Sequence, residues 1–457
     1  MSIESALARL SGVLGDRLSR SKADLDHHGR SETHFAAAPP DGVAWPETTQ
    51  EVADIARICS EEGCPIIGWG AGTSLEGHTS ATAGGLTVDF GRMNRVLRIN
   101  AEDMDVVVQP GLTRTALNEE LRATGLFFPV DPGADASLGG MAMTRASGTT
   151  AVRYGTMRDN VKALEVVLAD GRIIRTGSRA RKSSAGYDLT ALFVGSEGTL
   201  GLVTELTLRL YGQPEAISAA VCAFDGMGPA VDAVTETIQS GVPMARIEFI
   251  DARTVRAVNA YSGLTLPETP HLMVEFHGSP AGAAEDAERF AEIAHDHGAR
   301  NIERATRTED RNRLWKARHD AYWAILAAHP GRKGYVTDVC VPISALAEAV
   351  AQTEADIAAS GIPGPIAGHV GDGNFHSILL VDPDEPREHE IALGLSHRMA
   401  ERALSLGGTV TGEHGVGLGK RRYMQAEHGG GWAVMGELKR ALDPGNLMNP
   451  GKLVPGN

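Results

Sequence analysis

Thirty consecutive positions, Asp131 to Asn160, read DPGADASLGGMAMTRASGTTAVRYGTMRDN and are dominated by small residues and turn formers. Ordinary surface loops of that length are uncommon. The richness in Gly, Ala, Ser and Thr predicts extended backbone laid against a flat ligand, for which a large planar cofactor is the natural candidate. Two other tracts have the same character: PIIGWGAGTSLEG, Pro65 to Gly77, and FVGSEGTLGLVTE, Phe193 to Glu205. The first alternates Gly68, Gly70 and Gly72, but a Rossmann fingerprint is G-x-G-x-x-G opening a helix, with an acidic residue about 20 positions later. Here Thr73, Ser74 and Gly77, followed by HTSATAGG, predict turns. The loop therefore reads as a nest of backbone N–H groups around a pyrophosphate, with the Thr73 and Ser74 hydroxyls as extra donors. Glycine is required because side chains would keep the phosphates out. A purely structural loop is the alternative.

The 457 residues suffice for two or three domains, and the 42% hydrophobic content is that of a globular protein. With 43 basic and 58 acidic residues the net charge is −15, which disfavours a nucleic-acid or anionic-membrane surface. The cysteines Cys59, Cys64, Cys222 and Cys340 form no CxxC pair, so neither a disulfide framework nor a zinc ribbon is implied and a cytoplasmic location is expected. Glu4, Asp16, Asp24 and Asp26, with no apolar h-region, argue against a secretory signal or transit peptide. No apolar run approaches ~18 residues, so no transmembrane segment is expected.

WPETTQEVADIARICSEEG predicts a helix capped by Thr48 or Thr49, with Val52, Ile55, Ala56 and Cys59 on one face and Gly63 after its end. CPIIGW, LTVDF and DVVVQP read as strands, TRTALNEELRATG as a helix, EVVLADGRIIRTG as a hairpin turned at Asp170-Gly171, and VTELTLRL as a half-buried strand. The first ~210 residues are thus an α+β unit. Beyond Gly212 the elements lengthen: strands RIEFID, LMVEFHG and YVTDVCVP alternate with helices AGAAEDAERFAEIAHDHG, RLWKARHDAYWAILAA and ISALAEAVAQTEADIAASG. That alternation predicts an antiparallel sheet covered on one side. A last amphipathic helix in GWAVMGELKRALDPGNLMNPGKL stops at Pro444 and Gly445.

GHVGDGNFH, Gly368 to His376, predicts a hairpin turned at Asp372-Gly373. His369 would then lie directly opposite His376, with Cβ atoms about 4.5 to 5.5 Å apart, close enough for both imidazoles to hold one divalent cation. Two polar residues on a solvated hairpin are the other reading. His27 and His34 share the same spacing without any sign of a site.

PIIGWGAGTSLEG, PGADASLGGMAMTRASGTTAVRYGTMRDNV, GSEGTLG, GHVGDGNFH, TGEHGVG and NPGK, six motifs in series over nearly the whole chain, resemble the FAD-linked D-2-hydroxy-acid dehydrogenases of the vanillyl-alcohol oxidase/p-cresol methylhydroxylase superfamily, the D-lactate dehydrogenase (cytochrome) type most closely. The resemblance implies an α+β protein: an N-terminal segment over 1–44, a two-part FAD-binding domain of the p-cresol methylhydroxylase type over 45–212, a ferredoxin-like antiparallel-sheet substrate domain over 213–425, and a C-terminal helix and tail over 426–457 that return to the flavin. It implies that Gly68, Gly70, Ala71, Gly72, Thr73, Ser74 and Gly77 wrap the pyrophosphate. Pro132, Gly133, Ser137, Gly139, Gly140, Ser147, Gly148, Gly198, Gly201 and Val203 would line the ADP and isoalloxazine, and Asn449 would approach the ring. Relatives with covalent flavin carry a histidine in the phosphate loop where this chain has Thr73, so non-covalent FAD is expected.

The resemblance also supplies Glu413 of TGEHGVG as a third metal ligand beside His369 and His376, His414 as catalytic base, Arg318 as the arginine that grips the substrate carboxylate, and Asn374 as a further substrate contact. Glu413 and His414 can serve different sides only if the backbone bends, which Gly412 and Gly415 permit. Two imidazoles and a carboxylate suit Zn²⁺ or Mn²⁺ alike. The implied reaction takes the hydroxyl proton of a small 2-hydroxy acid to His414 and its C2 hydride to the flavin. After Tyr335 the chain reads Val336-Thr337-Asp338, without the lysine expected of a 2-hydroxyglutarate enzyme. That favours D-lactate or a similar monocarboxylate over D-2-hydroxyglutarate, with glycolate left open. A separate acceptor is implied, cytochrome c, a quinone or an electron-transfer flavoprotein, and a homodimer is compatible. A metal-dependent hydrolase and a non-catalytic flavoprotein subunit are the competing classes.

Overall fold

In the computed structural model, which describes residues 2–31 and 33–455, the chain divides into two compact units. One comprises Met1–Ser147, Gly155–Gln213 and Glu413–Asn457, the other Gly148–Tyr154 and Pro214–Gly412.

In the first unit the helix Thr49–Glu62 starts where the Thr48 hydroxyl accepts the Glu51 N–H at 3.2 Å and stops at Gly63 with φ 69°. Its face of Val52, Ile55, Ala56 and Cys59 is fully buried against Ala44, Ile66, Leu86 and Val88. Those partners sit on strands Gly42–Ala44, Ile66–Trp69 and Leu86–Asp89, of which the first two pair parallel with the third. A second sheet runs antiparallel in the order Val96–Asn100, Asp105–Val108, Leu202–Arg209, Val161–Val167, Ile173–Arg175. Val106, Val108, Leu164, Val166, Leu206 and Leu208 form its core face. The C-terminal tail returns to the parallel sheet, the Ile66 N–H donating to Leu447 O and the Asn449 N–H to Ile66 O, both at 2.8 Å.

Residues 131–160 are not extended. They contain three short helices, Leu138–Thr144, Ala151–Tyr154 and Met157–Asn160. Ser137 and Thr156 cap the first and third, and Leu138, Met141 and Ala142 turn into the core. The small residues serve close packing as well as turns: a Cβ on Gly139 would lie 2.5 Å from Pro110 Cβ.

The second unit is built on an eight-stranded sheet, ordered Arg300–Ala305, Ala216–Ala223, His271–Gly278, Met244–Ile250, Ile366–Gly368, Asn374–Val381, Lys333–Val336, with Val339–Cys340 also on Asn374–Val381. All of its pairings are antiparallel. Strand residues alternate between faces, and Cys222, Phe249, Leu272, Val274, Phe276 and Leu379 share one large core with Val231, Phe290, Val350 and Leu395 from the helices Met227–Gln239, Pro280–Asp296, Leu346–Ser360 and Pro386–Ser405. The expectation of cover on one side only needs correction. Residues of the other parity are also largely apolar, so the second face is covered too. Val221, Ile250 and Met273 pack with Leu314 and Trp315 of helix Thr308–His319, and Ile378 and Leu380 pack with Ala321, Ala324 and Ile325 of helix Ala321–Ala328.

The hairpin is present, but its register differs from the expected one. Ile366 pairs with Ser377 and Ala367 with His376, so His369 does not face His376 across the ladder. It lies beyond the strand end, before a 3-10 turn Val370–Asp372. The cause is packing: Val370 is fully buried, a Cβ on Gly371 would lie 2.4 Å from Ile247, and one on Gly373, at φ +77°, would lie 2.0 Å from Val341 O. The turn is drawn down onto neighbouring strands and winds up rather than reversing tightly.

Candidate active site

In the first unit the strand Ile66–Trp69 runs into a loop without a helix, as the glycine spacing predicts. Three tracts distant in sequence converge on it. A Cβ on Gly70 would lie 2.0 Å from Ser137 Oγ and 3.9 Å from Gly140 Cα. Asn449, at φ 43°, donates through Nδ2 to His78 O at 3.0 Å and Glu197 O at 2.7 Å, and a Cβ on Gly198 would lie 4.0 Å from the Asn449 side chain. Ser74 Oγ and Asn449 Oδ1 are buried without a protein partner among the described residues. Glycines whose Cβ atoms would close the loop, together with orphaned buried polar atoms, suit a cradle for a dinucleotide. Gly72 has φ +70° and a would-be Cβ 2.4 Å from the Trp69 ring. Gly72→Ala is therefore expected to cost about 1 to 3 kcal/mol and to lower the FAD retained per protein, measured by thermal denaturation and by absorbance. Of the other expected positions, a Cβ on Gly68 would meet Leu202, Gly201 fits against Val166 and Val167, and Val203 lies in the core. Gly148 belongs to the second unit.

The segment bearing Glu413 and His414 is held by a residue that sequence reasoning passed over. Glu197 is buried with φ 55°, a left-handed conformation costly for glutamate that persists where surroundings hold it. Its carboxylate accepts the Val416 N–H at 2.6 Å and the Gly417 N–H at 2.9 Å, and lies 3.2 Å from His78 Nε2. Burial alone would raise its pKa, but His78 and the two amides outweigh burial and hold it below the ordinary carboxylate value. A Cβ on Gly415 would lie 2.7 Å from His78 Nε2, and the residue has φ +80°, so the bend after His414 requires glycine. Glu413 Oε2 accepts the Ser147 hydroxyl at 2.9 Å. A carboxylate inside the tract GSEGTLG was the available signal, since a buried charge among small residues needs partners.

In the second unit the polar exceptions on the second sheet face form another cluster. His369 Nδ1 lies 2.6 Å from Glu248 Oε1, and His376 Nδ1 lies 3.0 Å from Thr337 O. The two rings stand 5.5 Å apart between centroids. A carbonyl can only accept, and an ionised carboxylate likewise, so each Nδ1 carries a proton, which in the neutral ring leaves the lone pair on Nε2. That is the tautomer a metal ligand needs. Arg318 Nη2 forms an ion pair of 2.6 Å with Glu248 Oε2, while Arg318 Nε is buried without a partner among the described residues. Asn374 Nδ2 donates to Asp338 Oδ1 at 2.7 Å and Val339 O at 2.8 Å, and its Oδ1 is buried without a partner among the described residues. Glu248 was also missed, although an acid inside the apolar strand RIEFI announces a buried carboxylate.

The family model "FAD binding domain" matches residues 40–177, and "FAD linked oxidases, C-terminal domain" matches residues 213–453. The chain is 50% identical to a "Probable D-lactate dehydrogenase, mitochondrial" of Danio rerio, over 99% of this chain and 92% of that one. It is 44% identical to a "D-lactate dehydrogenase [cytochrome], mitochondrial" of Arabidopsis thaliana, over 98% and 80%. The solved structure of p-cresol methylhydroxylase with substrate bound superposes with a TM-score of 0.82 at 18% identity, over 98% of this chain and 96% of that one. Among the described residues no helix is long and apolar enough to cross a membrane.

Proposed function

Since the chain belongs to the FAD-linked D-lactate dehydrogenase family, we propose that it oxidises D-lactate, or a closely similar small D-2-hydroxy monocarboxylate, to the 2-oxo acid with non-covalent FAD in the first unit. The observation that carries this reading is the grip of Glu197 on Val416 and Gly417. It fixes the His414 segment to the loop wall that Asn449 also closes. When bound, the flavin supplies the hydride acceptor. The residues of the chain do the remainder: His414 takes the hydroxyl proton, and Arg318, whose Nε has no hydrogen-bond partner among the described residues, grips the substrate carboxylate through charge-assisted hydrogen bonds.

Within this reading His369, His376 and Glu413 hold a divalent cation, Zn²⁺ or Mn²⁺. The Nδ1 hydrogen bonds of both histidines, which in the neutral rings leave Nε2 as the ligand atom, support it. A cation there supplies Lewis acidity to the substrate hydroxyl. The monocarboxylate preference is supported by residues 337–338, where Thr337 O is committed to His376 and Asp338 to Asn374 and Thr411. Neither Thr337 nor Asp338 is itself a cation for a second carboxylate. Electrons leave to a separate acceptor, cytochrome c, a quinone or an electron-transfer flavoprotein. The four free cysteines suit a reducing compartment such as the cytoplasm.

The test is anaerobic addition of D- and L-lactate to the purified protein while its visible spectrum is recorded. A yellow protein bleached by the D isomer alone, and more slowly after chelation, is expected. A colourless protein, or equal rates with both isomers, would overturn the reading.

A further inference from the structure

We infer that Glu248 is a positioning residue that joins the substrate-binding arginine to a metal-binding histidine, so that one carboxylate sets the orientation of both. The inference rests on the roles given above to Arg318 and His369. Glu248 stands in the strand Met244–Ile250, flanked by Ile247 and Phe249, which point into the main core. Alternation along the strand turns Glu248 to the opposite face, where its side chain has no solvent exposure. A carboxylate so placed persists only if both oxygens are paired. Here the two oxygens take different partners: Oε1 receives His369 Nδ1–H at 2.6 Å, and Oε2 forms an ion pair with Arg318 Nη2 at 2.6 Å, close in distance but not aligned as a hydrogen bond.

The contact does not use up the arginine: Arg318 Nε is buried without a hydrogen-bond partner among the described residues. A carboxylate serving only to neutralise an arginine would not also fix an imidazole tautomer. The adjacent Phe249 pairs with Gly368, immediately before His369, so the spacing between carboxylate and imidazole is set by the ladder rather than by a loop. A rigid element supporting two polar groups at once is the arrangement a preorganised site needs.

The experiment compares Glu248→Gln and Glu248→Asp with the wild-type holoenzyme, reading KM and kcat for D-lactate and the metal-to-flavin ratio after dialysis. For Glu248→Gln we expect KM to rise on the order of tenfold, and metal affinity to fall about 10- to 100-fold. Glu248→Asp, which keeps the charge, should recover part of both. Arg318→Ala should shift KM without releasing metal, and His369→Ala should release metal. A folded Glu248→Gln enzyme with wild-type KM and metal content overturns the inference, as does a Glu248→Asp enzyme unchanged in both should the glutamine variant not fold. If Arg318→Ala and His369→Ala themselves leave KM and metal content unaltered, the underlying reading fails and takes this one with it.

Discussion

Replacing His414 by alanine slows anaerobic flavin reduction by D-lactate about 100- to 10,000-fold, while the FAD content of the purified protein stays at the wild-type level. The two halves of this result have separate causes. The rate falls because no other group of the TGEHGVG segment can accept the hydroxyl proton: Glu413 is engaged by Ser147, and residues 415–417 offer no titratable side chain. The cofactor stays because the segment is anchored by the backbone of Val416 and Gly417, not by the imidazole. Stopped-flow absorbance in the flavin band, with FAD released by denaturation and quantified, measures both. An alanine variant that is reduced at the wild-type rate would remove His414 from the chemistry.

Glu197→Ala should unfold the first unit more than it damages any one step. Two backbone amides lose a charged acceptor and His78 loses its carboxylate partner, a loss expected to cost about 3 to 5 kcal/mol. Urea denaturation followed by flavin fluorescence reads it, with early cofactor release. The pH dependence has a definite sign. The folded pKa of Glu197 is held below the ordinary carboxylate value, so the folded state binds its proton more weakly than the unfolded state. Its stabilisation is complete above about pH 4.3, the unfolded value, and is lost as pH falls through the lower folded value. Glu197→Gln cannot titrate, so its stability should fall less steeply on the acid side than that of the wild type.

Much of the fold was legible because local signals agreed. Thr48 and Gly63 bounded their helix as their chemistry requires, and strand alternation gave the antiparallel sheet of the second unit. What failed had physical reasons. The register at His369 was set by Val370 and Gly371 packing beneath it, contacts with residues far away in sequence that no turn rule contains. The tract 131–160 folds into short helices because Ser137 and Thr156 cap them, against a composition that reads as loop. Among the site residues, histidines and glycines announced themselves through spacing. The acids Glu197 and Glu248 did not, since each takes its meaning from partners distant in sequence: His78 and Val416 for one, Arg318 and His369 for the other.

Asn449 ties together two carbonyls, of His78 and Glu197, that precede it by 371 and 252 positions. During translation the N-terminal strands and the glycine loop leave the ribosome hundreds of residues before this asparagine exists. The nucleotide cradle therefore stays open until Asn449 has been made, and cofactor loading follows the synthesis of that residue rather than that of the glycine loop.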